Sequence, residues 1–587
     1  MTNKVSRRAL IKNTFAGLSA ISLPISITAC NGDDQSYHQN KIEFLHGVAS
    51  GDPLKDRVIL WTRITPENLA ATYELQWEIS LDEKFSKIVT TGKIKTSAAK
   101  DFTLKVDARN LSEGTQYYYR FKYGEMSSPI GRTKTLATNV DIVKFAVCSC
   151  SNYPAGYFYV YREIAKQDID VVLHLGDYIY EYGSHGFATE NAENLGRTFE
   201  SDNQDEIYRL EDYRKRYAKY RTDPDLISVH QRHPFILIWD DHELTNDAWR
   251  NGAENHQPEL EGDFIARRTA ALTAYFEWMP IREKNENDII NIYRQFNFGD
   301  LVQLNMLDTR MLARDEQLSF ASFMDGENLN IERFKTALFN PQRQLIGTDQ
   351  LKWLADSIQS SRAIWNVLGQ QVLMTKMLVP AEVLQILNAA QSGNVDANFL
   401  NRAQIILKEL VAIKLRYKNN DPSLTELELS RILTVIPYNL DAWDGYYAER
   451  ERVYSLYELY KKKVVVLAGD THNAWESTLY QQSGANIGVE LAASSVSSPG
   501  MEKYLGLPAN LMQDFEQVFI HLIDELGYCN LNQRGYLKLS FDSTQLTSEW
   551  IFLTNIQSKE YQVDQLRLHT TTYDTNLNVL NVVQQAG

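Results

Sequence analysis

The sequence predicts an α/β protein with a two-sheet core and outer helices behind an N-terminal β-sandwich, and three observations carry that prediction. Short β-branched apolar runs at 170–175, 235–239 and 464–468 read as strands buried on both faces. From residue 143 onward such runs alternate with helical periods, as at 264–279 and 351–358. Residues 41–137 instead alternate with period two, in Leu75, Trp77, Ile79 and again in Tyr117, Tyr119, Phe121, Tyr123.

At 587 residues and 44% hydrophobic, the chain is too long for one ordinary domain and can bury a large core. Its 75 acidic against 60 basic residues give a formal net charge of -15. That balance disfavours nucleic acid as a partner and obliges any phosphate site to recruit local cations, which metals supply. The four cysteines, Cys30, Cys148, Cys150 and Cys529, are too few and too oddly placed for a disulfide scaffold.

Taken in chain order, residues 1–30 read as an export signal, with Lys4, Arg7, Arg8 and Lys12 ahead of an apolar stretch at 14–29. Ser6-Arg7-Arg8-Ala9-Leu10-Ile11-Lys12 resembles a twin-arginine signal, whose machinery exports folded, cofactor-loaded proteins. Ile27-Thr28-Ala29-Cys30 resembles a lipobox, which makes Cys30 a lipid anchor to the membrane. A plain secretory signal is the competing reading. The expected location is the periplasm or cell surface, and no later stretch is long and apolar enough to span a bilayer.

Residues 41–137 form the β-sandwich. Leu111-Ser112-Glu113-Gly114-Thr115-Gln116-Tyr117 resembles the tyrosine-corner segment of fibronectin type III domains. The α/β domain is expected over 140–565, with further strands at 143–147, 301–307 and 363–368. Residues 381–436 have helical spacing in Leu400, Ala403, Leu407 and Leu410, and read as an inserted helical subdomain.

Three acidic motifs follow the apolar runs: Gly176-Asp177-Tyr178-Ile179-Tyr180, Asp240-Asp241-His242-Glu243 and Gly469-Asp470-Thr471-His472. In open α/β sheets functional groups gather where strands end. Asp177 and Tyr180 reach one cation if their turn is tight, and a phenolate at neutral pH calls for a strongly acidic metal such as ferric iron. Asp470 and His472 are a normal carboxylate and imidazole pair for iron or zinc. Adjacent Asp240 and Asp241 are costly unless cations or hydrogen bonds separate their charge. Each motif alone also reads as a turn or a helix cap. Cys148 reads as a small core residue, whereas Cys150 lies at a strand end, where a thiolate ligand belongs.

These residues together resemble the PhoD-type alkaline phosphatases, metallophosphoesterases related in their core to purple acid phosphatases. The match runs through His46-Gly47-Val48-Ala49-Ser50-Gly51-Asp52-Pro53, Trp61-Thr62-Arg63, His174 to Gly183, Trp239 to Glu243, Leu307-Asp308-Thr309-Arg310, Trp443-Asp444-Gly445-Tyr446 and Gly469 to His472. It implies a metallophosphoesterase-type core with a ferric iron (Fe3+) site of Cys150, Asp177, Tyr180 and His472 or Asp470. Calcium (Ca2+) is the implied partner metal, with Asp177 bridging. Asp241 and either Asn246 or Asp247 hold the calcium, since oxygen ligands suit a hard cation. The helical insert is longer than the loop of some relatives, and it walls or covers the pocket.

The expected reaction is hydrolysis of a phosphate ester by metal-activated water attack. His242 orients the phosphate or protonates the leaving oxygen. Arg310 and Arg314 are candidate phosphate clamps, with structural ion pairs as the alternative. Two rivals differ in substrate or class: a phosphodiesterase or phospholipase D-like hydrolase, and a non-catalytic cell-surface binding protein that uses the sandwich.

Overall fold

Residues 41–584, except 285–287, 327, 392–395 and 507–508, are described by a computed structural model. The signal expected in residues 1–30, with Arg7, Arg8 and Cys30, lies outside the described residues.

One sheet centres on three parallel strands, Val143–Cys148, Val171–His174 and Pro234–Leu237. A seven-stranded sheet carries four, Val302–Met306, Trp365–Gly369, Val464–Ala468 and Asn486–Ala492. The apolar runs mark six of these strands, whose ends fall within two residues of the expected limits, while Asn486–Ala492 was not expected. Alternation explains why the runs are apolar throughout. In Val464–Ala468, Val465 and Leu467 enter the core shared with Phe145, Val147 and Leu537 of the first sheet. Val464, Val466 and Ala468 enter a second core with Leu354 and Ile358 of helix Gly347–Ser360. A strand covered on both faces has no polar side to alternate with.

In residues 41–137, strands Gly131–Lys134, Gln116–Tyr123, Tyr73–Ser80 and Ile88–Thr96 form one layer of a sandwich. They face Val48–Gly51, Arg57–Arg63 and Thr103–Arg109 across Val58, Leu60, Leu75, Ile79 and Phe121. The Tyr117 hydroxyl accepts the Ser112 backbone N–H at 2.8 Å, the bond of a tyrosine corner. The second layer is continuous with the α/β core, because Val48–Gly51 pairs in parallel with Pro234–Leu237. Those three strands end a ten-stranded sheet. At its other end lie His569–Asp574 and Val579–Gln584, so the sheet runs past the expected limit of 565.

The helical insert consists of Ala381–Gln391, Ala397–Lys418 and Glu426–Leu433. It is entered and left through the antiparallel pair Leu378–Pro380 and Val435–Pro437. Among the described residues no helix is long and apolar enough to cross a membrane.

Candidate metal centre

The three acidic motifs and Cys150 lie just beyond parallel strands, and main-chain bonds join those ends. The Cys150 N–H donates to Gly176 O at 3.0 Å, Ser151 N–H to Asp177 O at 2.8 Å and Gly469 N–H to Gln371 O at 2.7 Å. Parallel strands end at one edge, so the residues after them converge. Tight turns do the aiming: Cys150, Asp177, Asp247, Asp470 and His472 all have left-handed backbone, with φ between 53° and 62°. Each such residue costs about 1 kcal/mol or more, and such strain collects at functional sites.

Cys150, Asp177 and His472 are buried, with ligand atoms within 4.8 Å of one another. The Tyr180 hydroxyl joins them. It donates to Asp177 Oδ2 at 3.1 Å, lies 3.1 Å from His472 Nε2 and accepts from Ser498 Oγ at 2.6 Å. His472 Nδ1 lies 2.7 Å from Pro499 O, so Nδ1 carries the hydrogen and Nε2 presents its lone pair. Burial keeps this ring neutral, lowering its pKa to about 3. Two acceptors, Nε2 and Oδ2, therefore compete for one phenolic hydrogen. Asp177 Oδ1, also buried, has no hydrogen-bond partner. The donor set fits a cation.

Two further groups continue from the first as a chain: Asp177, Asp241 and His242, and then Asp240, Asp241 and Asp470. Asp177 links the first two, and Asp241 the last two. Asp241 Oδ1 accepts the His242 N–H at 3.0 Å, and Oδ2 accepts the Asp247 N–H at 2.6 Å. The Asn246 side-chain amide donates to Glu254 at 3.2 Å, on the exposed side. Burial, with Asp441 and Asp241 close by, raises the Asp247 carboxyl to about 7. Of the two neighbours left open by sequence, Asp247 is the one whose carboxylate joins the acidic cluster.

Arg310 and Arg314, expected as phosphate clamps, are fully buried among carboxylates. Arg310 donates to Asp240, to Asp441 Oδ1 at 2.9 Å and to Asp470 Oδ1 at 2.9 Å. Arg314 is tied to Asp441. All three Arg310 nitrogens donate within the cluster, and Arg314 donates through its two terminal nitrogens while its buried Nε has no partner among the described residues.

Burial pushes the Cys150 thiol and the Tyr180 phenol well up, with Asp177 adding to both, and raises Asp177 itself to about 6. Asp240 and Asp470 also rise well above the carboxylate range, through burial and despite Arg310. The polypeptide alone disfavours the anionic forms that ligation needs, and a bound cation reverses that balance.

Several supporting residues escaped the sequence reading. Glu243 accepts the backbone N–H groups of Asp177 at 3.0 Å, Asp240 at 2.7 Å and Tyr178. Glu181 Oε2 lies 2.7 Å from His242 Nδ1, and Oε1 accepts the Asn246 N–H at 2.8 Å. His242 stacks on Tyr180 with ring centroids 4.2 Å apart. Burial opposes its charged form, but Glu181, Asp177 and Asp241 outweigh burial and raise its pKa well above the usual value. Glu243 and Glu181 belong to or abut quoted motifs, which was the available signal. Asp441 and Ser498 carried none.

Residues 145–550 match the family model described as PhoD-like phosphatase, and residues 29–137 match that of its N-terminal domain. The chain belongs to the PhoD-like phosphatases. Alkaline phosphatase D of Bacillus subtilis (strain 168) is 34% identical over 517 residues, covering 85% of this chain and 77% of that one. A solved structure of PhoD superposes with a TM-score of 0.71 at 30% identity, covering 93% of each chain. This PhoD-like phosphatase is a phosphoric ester hydrolase with an α/β core and an N-terminal β domain. The clustered donors at its strand ends are its candidate metal-binding residues.

Proposed function

We propose that this PhoD-like phosphatase is an exported alkaline phosphatase that hydrolyses phosphate esters at a mixed iron and calcium centre. In this reading Cys150, Asp177, Tyr180 and His472 would hold ferric iron, with Asp470 as the alternative to His472, and Asp241 with Asp247 would hold calcium; Asp177 belongs to both of the adjoining ligand groups. The observation that carries it is the contest of His472 Nε2 and Asp177 Oδ2 for the single Tyr180 hydrogen, beside a thiol. A cation that takes the lone pairs of Nε2, Oδ2 and a phenolate relieves that contest. The all-carboxylate group on the other side suits a hard cation.

Cations at such a site supply Lewis acidity, which acidifies water and neutralises phosphoryl charge. The chain's own residues do the rest. Glu181 accepts from His242 Nδ1, which leaves Nε2 as the nitrogen free to hand a proton to the leaving oxygen. Arg310 sits among Asp240, Asp441 and Asp470 and offsets part of the repulsion between them. Export through the twin-arginine machinery and a lipid anchor on Cys30 belong to the same proposal and rest on the N-terminal motifs.

Metal analysis of the purified protein, with rates on a matched phosphomonoester and phosphodiester, tests this reading. The expected result is iron and calcium with faster monoester hydrolysis. A diester preference of about tenfold or more would replace the monoesterase with a phosphodiesterase. For export, an Arg7→Lys, Arg8→Lys double variant should stay in the cytoplasm, and unaltered export would remove the twin-arginine route.

A further inference from the structure

We propose that the cleft between the acidic cluster and the helical insert is the leaving-group site, selecting esters of uncharged or cationic, partly apolar alcohols over esters that carry further anionic groups. This rests on the phosphatase reading above. The cleft encloses about 430 Å³ and is bordered on one side by Asp247 and Asp441, the outer carboxylates of the acidic cluster. Its far wall is apolar. Leu384 and Leu387 come from helix Ala381–Gln391 of the insert, and Phe320 and Tyr438 complete the surface.

Charge supplies the second half of the argument. Glu254 and Glu316 line the same cleft, both exposed, and among the described residues no lysine or arginine lines it. The nearby Arg314 is buried and tied to Asp441. Cations at the centre would offset Asp247 and Asp441, but the carboxylates of Glu254 and Glu316 stand outside the acidic cluster. An alcohol bearing a carboxylate or a second phosphate would be held against two further like charges, whereas an ammonium would be attracted. The apolar wall rewards a hydrocarbon or aromatic body. The insert thus has a function in specificity: it provides one side of the cleft that the strand ends leave open.

The test uses the metal-loaded enzyme at low ionic strength with phenyl phosphate, phosphocholine and 3-phosphoglycerate as probes. The expected kcat/KM for 3-phosphoglycerate is lower than for the other two by about tenfold. A Glu254→Lys, Glu316→Lys double variant should narrow that ratio by about fivefold, as should added salt. Phe320→Ala should lower phenyl phosphate relative to 3-phosphoglycerate. These positions are exposed or half-exposed, so the fold tolerates the changes. Equal rates on all three probes, or a ratio unmoved in the double variant, overturn the cleft assignment and leave the phosphatase reading standing. Hydrolysis of none of the three sinks both.

Discussion

The Glu243 carboxylate accepts the Asp177 backbone N–H at 3.0 Å and the Asp240 N–H at 2.7 Å, so one side chain clamps the ends of two adjacent strands. The Tyr178 N–H uses the same carboxylate. Glu243→Ala would strand three buried donors, each worth about 1–3 kcal/mol. Denaturant unfolding should show a loss of about 3–5 kcal/mol. A loss under about 1 kcal/mol would mean that water or relaxation replaces the clamp.

Gly176 has φ 105°, and a Cβ placed there would lie 2.4 Å from Asp240 Cβ and 2.7 Å from Asp240 N. Gly176→Ala must push the first two motifs apart. A displacement of about 1 Å in a positioned site costs about 100-fold in rate. Activity of the alanine variant within a few-fold of wild type would show that the turn is slack.

Tyr180→Phe removes only the hydroxyl that meets Asp177, His472 and Ser498. Tyrosinate on ferric iron absorbs visible light, so the wild type should be coloured and the variant colourless. Turnover should fall by about 10–100-fold. A colourless, iron-free and fully active wild type would remove iron from the proposal and spare the reaction class.

The neighbours Asn246 and Asp247 should separate in one experiment. Asp247→Asn should weaken the calcium dependence of activity by about 10–100-fold, while Asn246→Ala, whose amide faces Glu254, should change it little. Calcium titrations of both variants give the answer, and the opposite ranking would return Asn246 as the ligand.

Glu490 lies away from the metal centre, accepting the Met374 N–H at 2.6 Å and the Thr375 N–H at 3.0 Å. Burial raises its pKa from 4.5 to about 7. The folded state therefore holds a proton that the unfolded chain has released. Its contribution to stability is full below pH 4.5 and is lost as pH rises to about 7. Thermal melts of wild type and Glu490→Gln across that window should differ in slope, with wild type falling more steeply. Parallel profiles would show that Glu490 titrates normally.

The strand ends were legible because burial on both faces acts on every residue of a strand and leaves a continuous apolar run in the chain. Cys150, Asp177, Tyr180 and His472 could each be placed after such a run, and the convergence of parallel strands then brought them together. The choice between Asn246 and Asp247 was not legible. What bears on it, a left-handed turn at Asp247 and Glu254 receiving the Asn246 amide, leaves the local pattern unaltered. The sandwich was readable from its alternation, but its continuity with the core sheet was not, since a parallel pairing of Ser50 with Pro234 leaves no mark on either segment.

Periodicity and motif order were enough to establish an α/β core, a β-sandwich and a set of metal-ligating residue types, because hydrophobic burial and turn chemistry are properties of neighbours in the chain. Which charges and hydrogen bonds meet was decided only by folding. Arg310 reaches Asp470 across 160 residues, and Ser498 reaches Tyr180 across 318. Those partners answer to distance in space alone. That is why the sequence left Arg310 and Arg314 open between phosphate clamps and structural ion pairs, and why the helical insert, legible as helices, is seen beside the acidic cluster only in the fold.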